Sequence, residues 1–398
     1  MEKNGKGGYY ITMKPIYLDY SASTPLDKDV SRVMNAVSEE VFGNPGSLHS
    51  FGQKALSVLD SSRERVARVL DVDFREVVFT SSATEANNLA IRGVLKAFPK
   101  KHPKVIISSI EHESVMETAL DLEREGIARV SMIPPNTRGL VSFRDIEKEI
   151  DENTALVSLM YANNIVGSIE PIREVSSAIQ SWRAKKNSLY PIFHTDAAQA
   201  FSYLDCGMKT LGVDLLTLSS HKIHGPKGVG ALVLKTKTLL PVITGGEQEF
   251  GLRSGTEAVP LVAGFALAVE KASKKREQEL QRSRALNHHL LSLLSKRAPG
   301  VRINGGTGDR FLPNIVNLFI PGKRTSKDLL IALDMNGIAV SSGAACSSRS
   351  EKSSHVLRAM GLKENEAKRS IRVSMGTFTT KRELSRFVSV LASLIKTS

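Results

Sequence analysis

The sequence predicts an α/β protein with a mainly parallel sheet covered by helices on both faces, followed by a smaller α+β domain. Three observations carry this. Between Val77 and Lys235, short apolar, β-rich runs alternate with helical patterns. After Gly255, a long helical stretch rich in Leu, Glu, Lys and Arg continues to about Arg297. Beyond it, a new set of short strands is interleaved with helices.

The first set of runs is VVFTSS (77–82), KVIISSI (104–110), ALVSLMYA (155–162), PIFHTDAA (191–198), VDLLTLSS (213–220) and VGALVLK (229–235). In such a sheet, ligands gather at the strand ends. The second set is VRING, PNIVNLFI, GIAVSS and SIRVSM. The N-terminal YLDYSAST (17–24) is expected to fold back onto this second unit. The domain boundaries drawn are 27–271 for the large domain, with 1–26 and 272–398 forming the small one.

With 398 residues and 41% hydrophobic content, the chain can bury one large core or two moderate ones. No apolar run approaches the roughly 20 residues that a membrane span requires. The first fifteen residues lack an apolar stretch followed by small residues, so they predict a frayed tail and no secretory signal. Two cysteines, Cys206 and Cys346, point to a reducing compartment, and the cytoplasm is the expectation. The net charge of +13 favours acidic partners or anionic cofactors. Direct nucleic-acid binding is not expected, because the basic residues are scattered and only 6% of residues are aromatic. No metal site is expected.

The most informative segment is SSHKIHGPKGVG (219–230), in which Lys222 follows an apolar strand and precedes a Gly/Pro turn. An amine at a strand end, with cationic neighbours and partial desolvation lowering its pKa, can form a Schiff base. A lone His-Lys pair would read as a basic surface turn. Asp196 in HTDAAQ (194–199) changes that balance: it ends another apolar strand, and its carboxylate can pair with a protonated pyridine nitrogen and keep pyridoxal phosphate an electron sink. By itself, an Asp there is more often a helix cap.

SSATEANN (81–88) places small residues between a strand and a helix, with Thr84 and Glu85 suited to the first turn, where backbone amides can meet a dianionic phosphate. An ordinary N-cap explains Ser and Thr equally well. Ser219 and His221 can add side-chain donors to the same phosphate. His112 in EHESV (111–115) follows the strand KVIISSI, and its imidazole can stack on a cofactor ring or exchange protons; a structural His is the competing reading. Asn164 in YANNIVG (161–167) can hydrogen-bond the cofactor's phenolic oxygen, although an Asn-Asn pair is usually a turn.

Near the C-terminus, VSSGAACSSRS (340–350) sets Cys346 among small polar residues that resist packing, which predicts an accessible thiol able to attack. Cys206 in YLDCGM is expected to be buried. Arg372 in SIRVSM can clasp a substrate carboxylate bidentately, or serve a structural ion pair.

With these residues in order, the chain resembles the cysteine desulfurases of the NifS/IscS type, within the class V aminotransferase family of fold-type I pyridoxal-phosphate enzymes. YLDYSASTP, GNPGS, FTSSATEANNLAI, EHESV, HTDAAQ, SSHKIHGPKG, RSGT, SSGAACSS and SIRVSMGTFTT stand in the family's order between about Ile16 and Thr380. The resemblance implies a seven-stranded, mainly parallel sheet in the large domain, with the small domain carrying the Cys346 loop. It implies that Lys222 holds pyridoxal 5'-phosphate, Asp196 pairs its ring nitrogen, His112 stacks on the ring, and Gln199 and Asn164 contact its phenolic oxygen. Ala83, Thr84, Ser219 and His221 would meet the phosphate, and Thr256 in RSGT would reach the phosphate of the neighbouring subunit of a homodimer. Arg372, with Asn164, would hold the carboxylate of L-cysteine. Cys346 would receive sulfur as a persulfide and pass it to an acceptor protein for iron–sulfur clusters, thiolated tRNA or sulfur-containing cofactors.

The sequence departs from the family at three places. Ile165 stands where a glutamate is common, Gln248 where a His is frequent, and Thr377 where an Arg is frequent. The chain also ends at Ser398, shorter than the iron–sulfur-assembly branch, whose C-terminal extension helps engage its scaffold protein. On the same scaffold, selenocysteine lyase or aminotransferase chemistry is the nearest alternative. A weakly active sulfur carrier is the alternative of another class.

Overall fold

The computed structural model describes residues 15–236, 238–343 and 353–396, together with the antiparallel pairing of Glu2–Lys3 with Tyr9–Tyr10. Cys346 lies outside the described residues.

Seven strands form the central sheet: β1 (Val77–Thr80), β2 (Lys104–Ser108), β3 (Arg129–Ile133), β4 (Thr154–Ser158), β5 (Ile192–Asp196), β6 (Leu215–Ser219) and β7 (Gly230–Leu234). Their spatial order is β1-β7-β6-β5-β4-β2-β3, and only β7 runs antiparallel to its neighbours. The predicted α/β class is therefore the observed one. Successive side chains of a strand point to opposite faces, and the sheet accordingly splits its apolar residues between two cores. Val77, Phe79, Val157, Phe193, Leu216 and Leu218 belong to one. Val78, Leu156, Ile192, Leu215 and Leu232 belong to the other.

The six apolar runs read from the sequence contain six of these strands, but β3 is missing from them. It is an edge strand in which only Ile133 is buried, so Arg129 and Ser131 interrupt the apolar signal.

Beyond the sheet, the helix Val259–Arg297 runs unbroken for 39 residues, with Pro260 in its first turn where a missing N–H costs nothing. Its first half places Phe265, Ala266 and Val269 in the first core, and its second half places Leu286, Leu290 and Leu294 in a third. That third core covers an antiparallel sheet of β8 (Arg302–Asn304), β9 (Ile315–Phe319) and β11 (Ser370–Ser374). The short β10 (Ile338–Ala339) pairs in parallel with Ile16–Tyr17. Among the described residues, no helix is long and apolar enough to cross a membrane.

One buried ion pair ties the end of this frame to the site. Arg63 donates from both terminal nitrogens to Glu249, at 2.6 and 2.8 Å, with side chains only 3% and 1% exposed. Glu249 also accepts from the backbone N–H of Phe79 in β1 at 2.7 Å. The pair holds Glu249 and Phe250 in left-handed backbone conformations, φ 50° and 60°, that neither residue type favours. Replacing Glu249 by Ala is expected to cost about 3–5 kcal/mol in urea unfolding, because it strands a buried guanidinium. Removing both charges, as Arg63→Met with Glu249→Leu, is expected to cost clearly less than the sum of the single changes. Additive costs would show that the pair contributes nothing as a pair.

Candidate active site

The C-terminal ends of the parallel strands deliver the chemistry to one edge of the sheet. After β6, a single 3-10 turn, Ser220–Lys222, presents Lys222. Its Nζ donates to the backbone carbonyls of Ser21 and Ala22, the latter at 2.8 Å. These carbonyls belong to the N-terminal segment, which spans the two sheets. Leu18 bonds to Ala339 and Ser374 on the smaller unit, and Thr24 then bonds to the carbonyl of His221 through both its N–H and its hydroxyl. The segment thus joins the smaller unit to the lysine turn.

Asp196, the last residue of β5, is buried. Its Oδ1 accepts from the N–H of Ala198 at 2.9 Å, and its Oδ2 accepts from Asn87 Nδ2 at 2.9 Å. Gln199, one turn on, donates from Nε2 to the same Ser21 carbonyl that Lys222 uses.

His112 follows β2 and caps the helix Glu113–Arg124, accepting the N–H of Ser114 on Nδ1. Burial pushes its pKa below the ordinary histidine value; the Asp196 carboxylate opposes this and the Lys222 ammonium reinforces it. His221 is pushed down to about 4, first by burial and then by Lys222, Lys227 and His112. Burial thus disfavours the charged form of both imidazoles.

The turn after β1 opens the helix Ala83–Ala97, with Ser82 as N-cap accepting the N–H of Glu85. Ala83 and Thr84 form its first turn, and Thr84 is exposed. The Glu85 carboxylate stays at this N-terminus, where it accepts the N–H of Ser81 at 2.7 Å, and its charge is paired with Arg253 at 2.7 Å. A Cβ on Gly230 of β7 would stand 2.7 Å from the Ser82 carbonyl carbon and 2.9 Å from the Ala83 nitrogen, so only glycine lets this turn lie against the sheet. Ser219 is buried at the end of β6.

Arg372 on β11 is buried, with Nη2 on Asp19 Oδ1 at 2.7 Å and Nη1 on the backbone carbonyl of Asn164 at 2.9 Å. The structural ion pair that the sequence left open is thus present, and it lies beside Asn164. Asn163, not Asn164, makes the turn: its Oδ1 accepts the N–H groups of Ile165 and Val166. Thr256 is exposed and stands three residues beyond Arg253, which pairs with Glu85.

Cys346 lies within 344–352, outside the described residues, but the residues bounding that stretch are described. Ser341 forms a bridge with Arg372, and Gly343 follows it; on the other side, His355 Nε2 bonds the carbonyl of Glu111, next to His112. Cys206 is fully buried and its thiol is pushed up to about 12 by burial, as expected of an inert cysteine.

Sequence reading passed over Asn87, Ser114, Asp19 and the carbonyls of Ser21 and Ala22. Each acts through a contact with a distant part of the chain. The one signal available was that Asn87 and Ser114 sit inside TEANN and EHESV, segments already singled out.

The profile of the family described as "Aminotransferase class-V" matches residues 16–387. The chain belongs to the class-V aminotransferase family. Among curated relatives of this class-V chain, "Cysteine desulfurase IscS" of Dictyoglomus turgidum is 39% identical over 387 residues, covering 96% of this chain and 95% of the relative. A solved "NIFS-LIKE PROTEIN" superposes with a TM-score of 0.88 at 34% identity, covering 96% of this chain and all of the other. A structure described as "SspA in complex with cysteine" superposes at 0.79 with 33% identity, covering 92% of this chain and all of that one.

Class-V enzymes of this kind depend on pyridoxal phosphate. The groups present fit it: an amine for its aldehyde, a buried carboxylate for its ring nitrogen, and a 15-residue helix N-terminus beside Ser219 and His221 for its phosphate. The three departures from the family have structural roles. Ile165 is buried in the first core. Gln248 Oε1 accepts the N–H of Gly255 and so shapes the turn before Thr256. Thr377 Oγ1 bonds His224 Nε2.

Proposed function

We propose that this class-V enzyme is a cysteine desulfurase, converting L-cysteine to L-alanine with the sulfur carried as a persulfide on Cys346. One observation carries the reading: Lys222, Asp196 and His112 converge at the sheet edge where Arg372 and the root of the Cys346 segment also lie. Cys346 is three residues beyond Gly343, so the chain tethers it within about 11 Å of that residue. Transamination has no use for a thiol there.

When bound, pyridoxal phosphate supplies the electron sink for charge left on Cα. Asp196 would pair with its ring nitrogen, and His112 would pack against the ring. Ala83, Thr84, Ser219 and His221 would hold the phosphate, and Asn164 and Gln199 would face the phenolic oxygen. Arg372 takes the substrate carboxylate, which displaces Asp19 from Nη2, and Lys222 Nζ moves the Cα proton. The Cys346 thiolate then attacks the substrate sulfur: an S–S bond forms, the Cβ–S bond breaks with its electron pair left on carbon, and the skeleton takes up one proton at Cβ and one at Cα and leaves as alanine.

Thr256 serves the partner subunit of a homodimer. Support for a second copy comes from Phe42 and Phe51, 74% and 55% exposed and in ring contact, and from Leu48, which is 93% exposed. A monomeric mass by light scattering would contradict this. The division at residues 27 and 271 separates the cofactor-bearing domain from the one that carries Cys346. A working free thiol needs a reducing compartment, which assigns the enzyme to the cytoplasm. The charge of +13 favours an acidic sulfur acceptor.

The test is product analysis of the holoenzyme with L-cysteine and a thiol reductant. Equal amounts of alanine and sulfide are expected; pyruvate and ammonia in place of alanine would show β-elimination and overturn the reading.

A further inference from the structure

We infer that Asn87 and Ser114 are positioning residues that orient the Asp196 carboxylate and hold His112 in the tautomer with its proton on Nε2. The inference rests on the functional reading only for the identity of the groups being positioned.

Asn87 is fully buried on the helix Ala83–Ala97. Its Nδ2 spends both hydrogens, one on Asp196 Oδ2 at 2.9 Å and one on Ser114 Oγ at 2.8 Å. Turning the amide over would set its carbonyl oxygen against a carboxylate oxygen, so the Asp196 side chain fixes its orientation. That orientation leaves Asn87 Oδ1 buried without a hydrogen-bond partner. A structure that tolerates such an orphan is gaining more from the two donors than it loses on the acceptor.

Ser114 passes the constraint on. Its Oγ accepts from Asn87, and because the Ser114 N–H already makes His112 Nδ1 an acceptor, the single hydroxyl hydrogen goes to that nitrogen at 2.8 Å. The N–H of Ser114 points at the same nitrogen at 3.1 Å. Two donors on Nδ1 leave it only a lone pair to offer, and the ring proton stands on Nε2. An imidazolium would set an Nδ1–H against both donors. The charged and titratable groups acting on the ring are Asp196, Lys222, Glu113, His355 and His221, and burial favours the neutral form over all of them. The consequence is a division of labour. His112 offers the site an N–H and no basic nitrogen, so the Cα proton is left to Lys222.

The test is 15N NMR of the holoenzyme labelled at histidine, with His112 assigned by the signals lost in His112→Gln. At pH 7, a lone-pair-type Nδ1 and a protonated Nε2 are expected. Ser114→Ala should move the Nδ1 resonance toward that of a weakly bonded nitrogen, and Ser114→Thr should restore it. An Nδ1–H tautomer, an imidazolium at pH 7, or an Nδ1 signal indifferent to Ser114→Ala would each overturn the inference. Asn87→Ala should lower kcat for alanine formation about ten- to hundredfold with KM little changed. A kcat within twofold of wild type would remove Asn87 from the account. Failure to bind cofactor or form alanine in wild type would defeat the functional reading; an active holoenzyme with the proton on Nδ1 would defeat only this one.

Discussion

Lys222→Ala is expected to abolish alanine formation, by about a thousandfold or more, and to bind pyridoxal phosphate without the covalent link that gives the holoenzyme its visible absorption. The amine has two tasks at one place, anchoring the cofactor and moving the Cα proton, and no other described amine shares the carbonyls of Ser21 and Ala22. The fold should survive. Ser21 keeps the donor of Gln199, and the turn Ser220–Lys222 stays fixed through the carbonyl of His221, which accepts from Thr24. The check is steady-state alanine production alongside a thermal melt. Turnover above a few per cent of wild type in a folded Lys222→Ala protein would refute the role.

The second large effect separates sulfur transfer from cofactor chemistry. Cys346→Ala is expected to retain the cofactor absorption and to respond spectrally to L-cysteine, while sulfide release falls by about a hundredfold or more, since the nucleophile itself is removed. Cys206→Ala should leave turnover near wild type, because that thiol is fully buried and its pKa is pushed up to about 12. The two variants are measured side by side by sulfide release. Equal losses in both would mean that the assay reads folding. Undiminished release from Cys346→Ala would reassign the sulfur acceptor.

How much of this was legible in the sequence follows from where each signal is stored. Lys222, Asp196 and His112 each come directly at or after an apolar strand, so a local pattern locates them on one sheet edge. Strand β3 was invisible because an edge strand needs few buried residues, and only Ile133 reports it. The supports of the site are invisible for a different reason. Asn87 meets Asp196 across 109 residues and Asp19 meets Arg372 across 353, and no local periodicity encodes either contact. The N-terminal segment shows the same limit. Its fold-back onto the smaller unit was expected, and Ile16 and Leu18 are buried there, but the carbonyls that receive Lys222 carry no side-chain signature at all.

Arg372 shows how a correct residue can have more than one partner. The sequence offered substrate carboxylate or structural ion pair, and the structure supplies Asp19 on one nitrogen and the Asn164 carbonyl on another. Its Nε is buried without a partner among the described residues, so the guanidinium retains unused donor capacity beside the site.

The central claim is that sulfur leaves L-cysteine for Cys346, and mass spectrometry of the Cys346 peptide tests it most directly. After the holoenzyme is exposed to one equivalent of L-cysteine without reductant, that peptide is expected to be heavier by one sulfur atom, reversibly on adding thiol, and unmodified in Lys222→Ala. An unmodified Cys346 peptide from enzyme that has formed its equivalent of alanine would contradict the account.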